Sequence, residues 1–395
     1  YHVQYILGLV SQPCILDASS SVVCRQISLH FQGVSAQTAG CQFHYRQGDG
    51  KVESWIYLQL VRFATKKGNE SVKGHFAAIV FCWVIFIQPA MAKGSADPLP
   101  SWNGGVTKQR ILDFVRAITD KSSKDFVAPK SRIAVFDNDG TLWCEKPVYT
   151  QFVFAVERAQ EVIKQHPELA EESVFKAARE RDFSALANTG EKGLLRLVTA
   201  THSGMTSEQF KKIVTDWIAE AKHPRFKRLY TECVYQPMLE LLGYLRKNEF
   251  RTFIISGGGR DFMRPWTGSV YGVEDSQVVG SSCKLEYRDG DVYRTPEVEF
   301  IDDGKFKPVG IEKCIGLRPI AAFGNSDGDL EMLQWTGGNK GKTLCALVHH
   351  TDAAREYAYD KDSSVGHLEK ALQEARQKDW LVVDMKNDWS KVFPR

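Results

Sequence analysis

Two aspartates, one residue apart, follow a short apolar segment of the chain. Residues 133–136 read Ile-Ala-Val-Phe, a near-continuous apolar run typical of a strand that is covered on both faces. The residues after it are Asp137-Asn138-Asp139-Gly140-Thr141-Leu142. In open parallel sheets, ligands bind beyond the carboxyl ends of the strands, so two carboxylates at this position would meet the substrate. Carboxylates in such a place suit covalent or acid–base catalysis.

Polar residues also follow two later segments that the sequence predicts to be strands. Segment 252–255 is followed by Ser256 and three glycines. Segment 320–323 is followed by Gly-Asn-Ser-Asp-Gly-Asp, residues 324–329, which are called the fourth motif below. Between them lies Lys307, in the sequence Phe-Lys-Pro. With the two aspartates, four polar clusters therefore fall in order at or near the ends of predicted strands.

The elements that would position these clusters alternate along the chain. A helix is predicted around 108–119, another follows Pro237, and further strands are predicted at 344–348 and 381–383. Alternation of this kind indicates a mostly parallel sheet flanked by helices.

Two segments depart from the alternation. Residues 143–235 have helical periodicity, and Thr206 with Gln209 has the form of a capping box at the start of one helix. We interpret this block as a helical insertion. Between residues 278 and 300, Val, Tyr and Glu alternate around Asp289-Gly290, which predicts a hairpin.

The composition and charge of the chain indicate which class of protein it belongs to. The 395 residues are 43% hydrophobic and 25% charged, which is typical of a globular protein. The net charge is only +3, and no long basic run is present. Binding to the phosphate backbone of DNA or RNA depends on clustered basic residues, so nucleic acid is not an expected partner.

The first hundred residues differ from the rest. An unbroken apolar stretch over 76–87 follows several lysines and precedes Ala90-Met91-Ala92, the arrangement of a secretory signal. We interpret residues 61–92 as a signal peptide cleaved after Ala92, and residues 1–60 as a mistranslated or disordered leader. The apolar stretch is shorter than the roughly 20 residues that span a bilayer, so no membrane span is expected after cleavage. The mature protein is then expected to be periplasmic or secreted.

The four polar clusters resemble the motifs of the haloacid dehalogenase superfamily, in particular its phosphatases with a helical cap, near the phosphoserine phosphatases. The resemblance spans residues 108–394, and the sequences around Asp137 and Asn325 look like a secreted branch of haloacid dehalogenase-like hydrolases. It implies an α/β fold of three layers with a Rossmann-like parallel sheet. The core domain would comprise residues 93–142 and 236–395, with the helical cap, residues 143–235, inserted after the first strand.

The resemblance also implies an activity, the hydrolysis of a small-molecule phosphate monoester. Asp137 would attack phosphorus and carry the phosphoryl group, while Asp139 would protonate the leaving alkoxide and then deprotonate water. Ser256 and Lys307 would hold the phosphoryl oxygens. Because a leaving halide needs no proton and a leaving alkoxide does, Asp139 favours phosphoryl transfer over dehalogenation. Further contacts to the substrate are expected from Thr141, Gly257 and Arg260.

A magnesium ion is the cofactor that the resemblance implies. Its ligands would be Asp137, the backbone carbonyl of Asp139 and the fourth motif. Many members have Gly-Asp where this chain has Gly324-Asn325, so the ligands from that motif stay open. We favour Asn325 and Asp329, with Asp327 in reserve.

Two other functions are compatible with the sequence. Residues 324–328 also fit Gly-x-Ser-x-Gly, the nucleophile elbow, with Ser326 as a serine-hydrolase nucleophile and His367 downstream. That interpretation leaves the two aspartates and Lys307 unexplained. The other alternative is an exported phosphate- or metal-binding protein whose catalytic set is degenerate, with Asn325 as the unusual residue. The natural substrate and the oligomeric state are left open by the sequence.

Overall fold

A computed structural model describes residues 97–394, together with the backbone of four strands within residues 1–96. The chain divides into two units, residues 1–96 and residues 97–395. The strands of the first unit form one antiparallel sheet in chain order: β1 (Cys24–Phe31), β2 (Val34–Tyr45), β3 (Ser54–Thr65) and β4 (Cys82–Trp83). Apart from these strand backbones, the predicted leader, residues 1–60, and the predicted signal peptide, residues 61–92, lie outside the described residues.

The second unit is built around a seven-stranded sheet. Its strands are β5 (Ile133–Phe136), β6 (Arg251–Gly259), β7 (Val278–Arg288), β8 (Asp291–Phe300), β9 (Ala321–Gly324), β10 (Leu344–His349) and β11 (Leu381–Asp384). Their order is β11-β10-β9-β5-β6-β7-β8, and every neighbouring pair is parallel except β7 with β8. The predicted mostly parallel sheet is therefore confirmed.

Helices cover both faces of this sheet. The helices outside the insertion are α1 (Val106–Thr119), α7 (Gln236–Lys247), α8 (Arg260–Tyr271), α9 (Lys307–Ile315), α10 (Leu330–Gly337), α11 (Lys370–Gln377) and α12 (Met385–Asp388). No helix among the residues described is long and apolar enough to cross a membrane.

Strand β5 shows why the sheet has two covered faces. All four of its residues are buried. Ala134 and Phe136 belong to the apolar core that contains α1, α7 and α8, whereas Ile133 and Val135 belong to a second core with residues of α9, α10 and α11. Because successive side chains of a strand point to opposite faces, an unbroken apolar run needs helices on both sides. The predicted three-layer α/β fold is confirmed.

The predicted hairpin is confirmed as β7 and β8, which pair antiparallel. Asp289 and Gly290 join them with φ values of 54° and 90°. Two consecutive positive φ values are the requirement of a two-residue turn of type I′, which Asp-Gly meets at low steric cost.

Between β5 and α7 lie helices α2 (Thr150–Gln165), α3 (Ser173–Glu180), α4 (Phe183–Asn188), α5 (Gly190–His202) and α6 (Ser207–Ile218). The predicted capping box is present, because Thr206 and Gln209 each accept a hydrogen bond from the backbone N–H of the other. Helices α2 to α5 share an apolar core of their own, whereas Phe210 and Val214 of α6 pack into the core that contains α8. The domain bounds derived from the sequence stay a prediction.

Candidate active site

The polar clusters of the sequence meet at the carboxyl ends of three adjacent strands. Strand β5 lies between β6 and β9 and pairs parallel with both. The residues that follow these strands, or end them, therefore come together at one edge of the sheet. The backbone N–H of Asp137 donates to the carbonyl of Phe323 at 2.9 Å, which fixes Asp137 beside the fourth motif.

Lys307 joins two of the predicted residues. It is the first residue of α9, its side chain is almost wholly buried, and its Nζ lies 2.6 Å from Asp137 Oδ1 and 2.6 Å from Asp329 Oδ1. Burial disfavours the ammonium, but the two carboxylates outweigh burial and raise the pKa of Lys307. Lys307 is therefore a fixed positive charge at the base of the site.

The surroundings of Asp137 disfavour the ionised form of its carboxyl group. Burial and the nearby carboxylate of Asp329 raise the pKa of Asp137 well above its ordinary value, and the ammonium of Lys307 opposes both. An ionised Asp137 therefore depends on positive charge held next to it.

Asp139 lies beside Asp137 with a different set of contacts. Burial raises the pKa of Asp139, while the hydrogen bond from Trp143 Nε1 to Asp139 Oδ1, 2.9 Å long, acts in the opposite direction. Trp143 is itself buried and stacks on Trp266, with ring centroids 4.4 Å apart. A rigid indole thus orients the carboxyl group whose raised pKa suits a proton donor.

Gly140 completes the turn between these groups. Its φ is +76°, and a Cβ there would lie 2.1 Å from Asn325 Nδ2, so glycine is required both by backbone conformation and by space. His350 holds the turn from below, with Nε2 2.8 Å from the Gly140 carbonyl oxygen and Nδ1 3.1 Å from Glu356. His350 and Gly140 lie 210 residues apart in the chain, so no local pattern predicts this contact.

Asn325 is buried behind the two aspartates and has both ends of its amide in use. Thr141 Oγ1 donates to Asn325 Oδ1 at 3.0 Å, and Asn325 Nδ2 donates to Glu145 Oε1 at 2.8 Å. Glu145 also accepts a hydrogen bond of 2.7 Å from the hydroxyl of Tyr359. Glu145 is buried at the wall of the site. No local sequence pattern points to it, because its partners come from distant parts of the chain.

The two aspartates of the fourth motif, Asp327 and Asp329, have different contacts. Besides its contact with Lys307, Asp329 accepts hydrogen bonds at Oδ2 from the backbone N–H groups of Asn325 and Ser326. Asp327, the reserve ligand, instead accepts hydrogen bonds from three backbone N–H groups at the start of α11, residues 369–371. Asp329 therefore fixes the positions of Lys307 and of the backbone at residues 325 and 326. Asp327 instead binds the amino-terminal end of α11, outside the site.

A cavity of about 660 Å³ opens onto these residues. Its wall includes Asp137, Asp139, Glu145, Ser256, Gly257 and Lys307. Strand β6 extends past the predicted end through Gly259, and the Ser256 hydroxyl accepts a hydrogen bond of 3.0 Å from the Gly258 N–H.

Two residues expected to contact the substrate are placed elsewhere. The guanidinium of Arg260 pairs with Asp261, and the hydroxyl of Thr141 faces Asn325. Neither belongs to the wall of the cavity.

The oxygen donors at this edge of the sheet match the ligands of a magnesium ion in their chemistry. Carboxylate, amide and main-chain oxygens are the ligands that this ion prefers, usually with several waters. Burial, with the charges of Asp139 and Asp137, raises the pKa of Glu145, so the carboxylates here exceed the positive charge that Lys307 supplies. A cation bound by Asp137 would relieve that excess, and in this respect the residues fit the ion. Among the described residues, no group of three or more His, Cys, Asp or Glu side chains is arranged to hold a metal. Main-chain or amide oxygens, as from Asp139 and Asn325, would have to complete the set.

The nucleophile-elbow arrangement is not assembled. The hydroxyl of Ser326 contacts Asp329 Oδ2 at 3.2 Å and the N–H of Gly328 at 3.2 Å. His367 instead lies 3.6 Å from Asp327 and is partly exposed. In the part of the chain that the structure describes, no hydrogen bond joins Ser326 to a histidine.

Residues 134–334 match the family described as haloacid dehalogenase-like hydrolase. Comparison with curated proteins gives no match.

Three solved structures illustrate the structural likeness. A conserved protein of unknown function from Anaerococcus prevotii is 14% identical, covers 71% of this chain and 91% of its own, and has a TM-score of 0.49. A protein of unknown function from Bordetella pertussis is 15% identical, with coverages of 64% and 98% and a TM-score of 0.42. A probable phosphoserine phosphatase from Vibrio cholerae is 16% identical, with coverages of 60% and 62% and a TM-score of 0.32.

The family match contains all four polar clusters, residues 137–142, 256–259, 307 and 324–329. It covers just over half of the 395 residues and runs from β5 through the fourth motif and α10. Both the hydrolase class and the superfamily predicted from the four motifs are thereby confirmed: the chain belongs to the haloacid dehalogenase-like hydrolases.

Proposed function

We propose that the protein is a magnesium-dependent phosphatase that hydrolyses phosphate monoesters through a phosphoryl group carried by Asp137. The observation that carries the proposal is the buried contact of Lys307 with Asp137, 2.6 Å long, beside a second aspartate on the cavity wall. A carboxylate paired with a fixed ammonium suits attack on a phosphoryl group, whose developing negative charge needs compensation.

In the first step, Asp137 forms a bond to phosphorus. Lys307 occupies one oxygen of its carboxylate, and the other oxygen attacks. The bond between phosphorus and the ester oxygen breaks, and its electron pair leaves with that oxygen. Asp139 gives its proton to the departing alkoxide, in agreement with the raised pKa of its carboxyl group.

In the second step, water releases the phosphoryl group. Asp139, now ionised, accepts a proton from water as the water oxygen attacks phosphorus. The bond between phosphorus and Asp137 breaks, which yields inorganic phosphate and restores the carboxylate. Two easier steps replace one difficult displacement, as is usual in covalent catalysis.

The remaining groups position charge. The Lys307 ammonium and the Ser256 hydroxyl, both on the cavity wall, would bind phosphoryl oxygens. Magnesium, held by Asp137, the main-chain carbonyl of Asp139 and the amide of Asn325, would supply further positive charge for the phosphoryl oxygens. Asp329, the other ligand favoured from the sequence, has both carboxylate oxygens engaged, so it would instead act by fixing Lys307 and the backbone of residues 325 and 326.

Release of phosphate from para-nitrophenyl phosphate tests the proposal. The full chain should be active with magnesium and inactive with an excess of chelator. Asp137→Asn should abolish turnover, and Ser326→Ala should retain most of it. Loss of turnover in Ser326→Ala alone would favour the serine hydrolase, and inactivity of the parent under all conditions would favour a binding protein.

Export remains a separate proposal. It rests on the apolar stretch over 76–87 and the small residues at Ala90 and Ala92. Sequencing the amino terminus of the mature protein should give a start at Lys93, and a start far from that residue would contradict the proposal.

A further inference from the structure

The cavity in front of Asp137 has two chemically different ends. The catalytic end consists of Asp137, Asp139 and Lys307. The cap end is formed by α2, α4, α5 and the adjoining part of β8, and its side chains are mostly apolar: Phe152, Val156, Leu186, Leu194, Val198 and Val298. The cap end thus offers a ligand a hydrocarbon surface.

Charged groups of the wall are concentrated at the catalytic end. Arg294 is the one cation that the described wall contributes besides Lys307, and it is already engaged. Its Nε donates to the carbonyl of His202 at 2.6 Å, and it forms a partly buried ion pair with Asp261. It is therefore not available to bind a carboxylate of a substrate.

His202, the other basic group on the wall, is also unsuited to bind an anion. Burial, with the charges of Arg294 and Arg158, lowers the pKa of His202 to about 3, so the ring is neutral at physiological pH. The His202 Nε2 lies 3.1 Å from Gln151 Nε2, and Nδ1 lies 2.8 Å from the Thr201 hydroxyl. The cap end thus lacks, among its described side chains, the charges that would bind an amino acid.

Several apolar side chains of the cap end are left uncovered by the protein itself. Phe183 is 40% exposed and Leu195 is 37% exposed, and both lie on the cavity wall. Burial of such surface is favourable in proportion to its area, so a ligand that covers it gains affinity.

We propose that the substrate is a phosphate monoester of a large apolar alcohol, with the phosphoryl group at the catalytic end and the hydrocarbon against α4 and α5. This inference rests on the proposed phosphatase activity and names its substrate class. The apolar group is bound by burial, and the phosphoryl group fixes its orientation.

A series of straight-chain alkyl phosphates tests the inference. With the full chain and magnesium, kcat/KM should rise from ethyl to hexyl phosphate by about tenfold or more, because each buried methylene favours binding about three- to fourfold. O-phosphoserine has as many non-hydrogen atoms in its alcohol part as hexyl phosphate, and it should be the poorer substrate. A kcat/KM that stays flat with chain length, or is highest for O-phosphoserine, overturns the inference.

A matched pair of variants locates the effect. Leu195→Asn places an amide on the cap end and should reduce the ratio of kcat/KM for hexyl over ethyl phosphate at least about threefold. Leu317→Asn changes a leucine that is 40% exposed away from the cavity, and it should leave that ratio unchanged. Equal ratios in both variants would contradict the assignment.

The two proposals fail in different ways. If para-nitrophenyl phosphate is hydrolysed while the alkyl series shows no dependence on length, the phosphatase stands and the substrate class is wrong. If no ester releases phosphate, the proposed function fails and the substrate class fails with it.

Discussion

The side chains at the catalytic end of the cavity are charged, buried and fixed by hydrogen bonds, whereas those at the cap end are apolar and partly exposed. Lys307 has two carboxylate partners at 2.6 Å, while Phe183 and Leu195 show about two fifths of their surface. The difference separates two tasks. The catalytic end holds charge in place before a ligand arrives, and the cap end gains its stabilisation only when a ligand covers it.

Charge held in this way has a cost in folding stability, since buried ionic groups lose hydration that their partners replace only in part. The apolar side chains of the cap end carry no such cost. Changes at the catalytic end should therefore alter both rate and stability, and changes at the cap end should alter selectivity.

The largest effect is expected for Lys307→Met. The change removes the ammonium and leaves Asp137 and Asp329 without their shared partner, so kcat/KM should fall about a thousandfold or more. Steady-state kinetics measure the loss, and circular dichroism confirms folding. Lys305→Met, which alters an exposed lysine two residues earlier, should change neither. A loss below tenfold in Lys307→Met would break the contrast between the two ends.

Asp139→Asn should have the next largest effect, and one that depends on the leaving group. The quantity to compare is kcat/KM, which reports the first step and not the release of the phosphoryl group from Asp137. An alkoxide needs the proton of Asp139, so kcat/KM for an alkyl phosphate should fall about a hundredfold to a thousandfold. A nitrophenolate leaves readily without a proton, so the loss with para-nitrophenyl phosphate should be much smaller. The ratio of the two losses is the measurement, with exposed Asp362→Asn as control. Equal losses would contradict the role of Asp139 as an acid.

The smallest effect concerns stability. Asp302 is fully buried, neither carboxylate oxygen has a hydrogen-bond partner among the described residues, and burial raises its pKa from 3.8 to about 7. The folded state thus holds the proton more tightly than the unfolded state. Stability from this group is complete below pH 3.8 and is lost as the pH rises through about 7.

Asp302→Asn removes that loss. The free energy of unfolding of the variant minus that of the parent should increase by about 1–3 kcal/mol from pH 5 to pH 8, because only the parent loses stability over this range. Denaturant titrations at both pH values measure it, and comparing the two cancels any cost of the amide that does not depend on pH. If the difference in free energy of unfolding between variant and parent is the same at pH 5 and pH 8, Asp302 does not ionise in the folded protein over that range.

Much of the framework was predictable from local sequence. An apolar run that ends in polar residues, as at Asp137 and Asn325, identifies a buried strand and the edge where its side chains act. The capping box of Thr206 and the Asp289-Gly290 turn are likewise local patterns. The structure confirms both. They were predictable because residues close together in the chain determine them.

The contacts that tune the site could not be read in the same way. Glu145 meets Tyr359, and His350 meets Gly140, only after the sheet has brought distant segments together. The hydrogen bond by which the Trp143 indole orients Asp139 likewise depends on the folded arrangement of both side chains. Nor does a sequence show that Arg260 prefers the adjacent carboxylate of Asp261 to the cavity.

The central claim is that Asp137 carries the phosphoryl group. A phosphate ester labelled in its phosphoryl group can be mixed with the full chain and quenched in acid during turnover, and the labelled peptide mapped. We predict label on the peptide that contains Asp137, and none in the Asp137→Asn variant. Label on the peptide of Ser326, or label that persists in Asp137→Asn, would contradict the account.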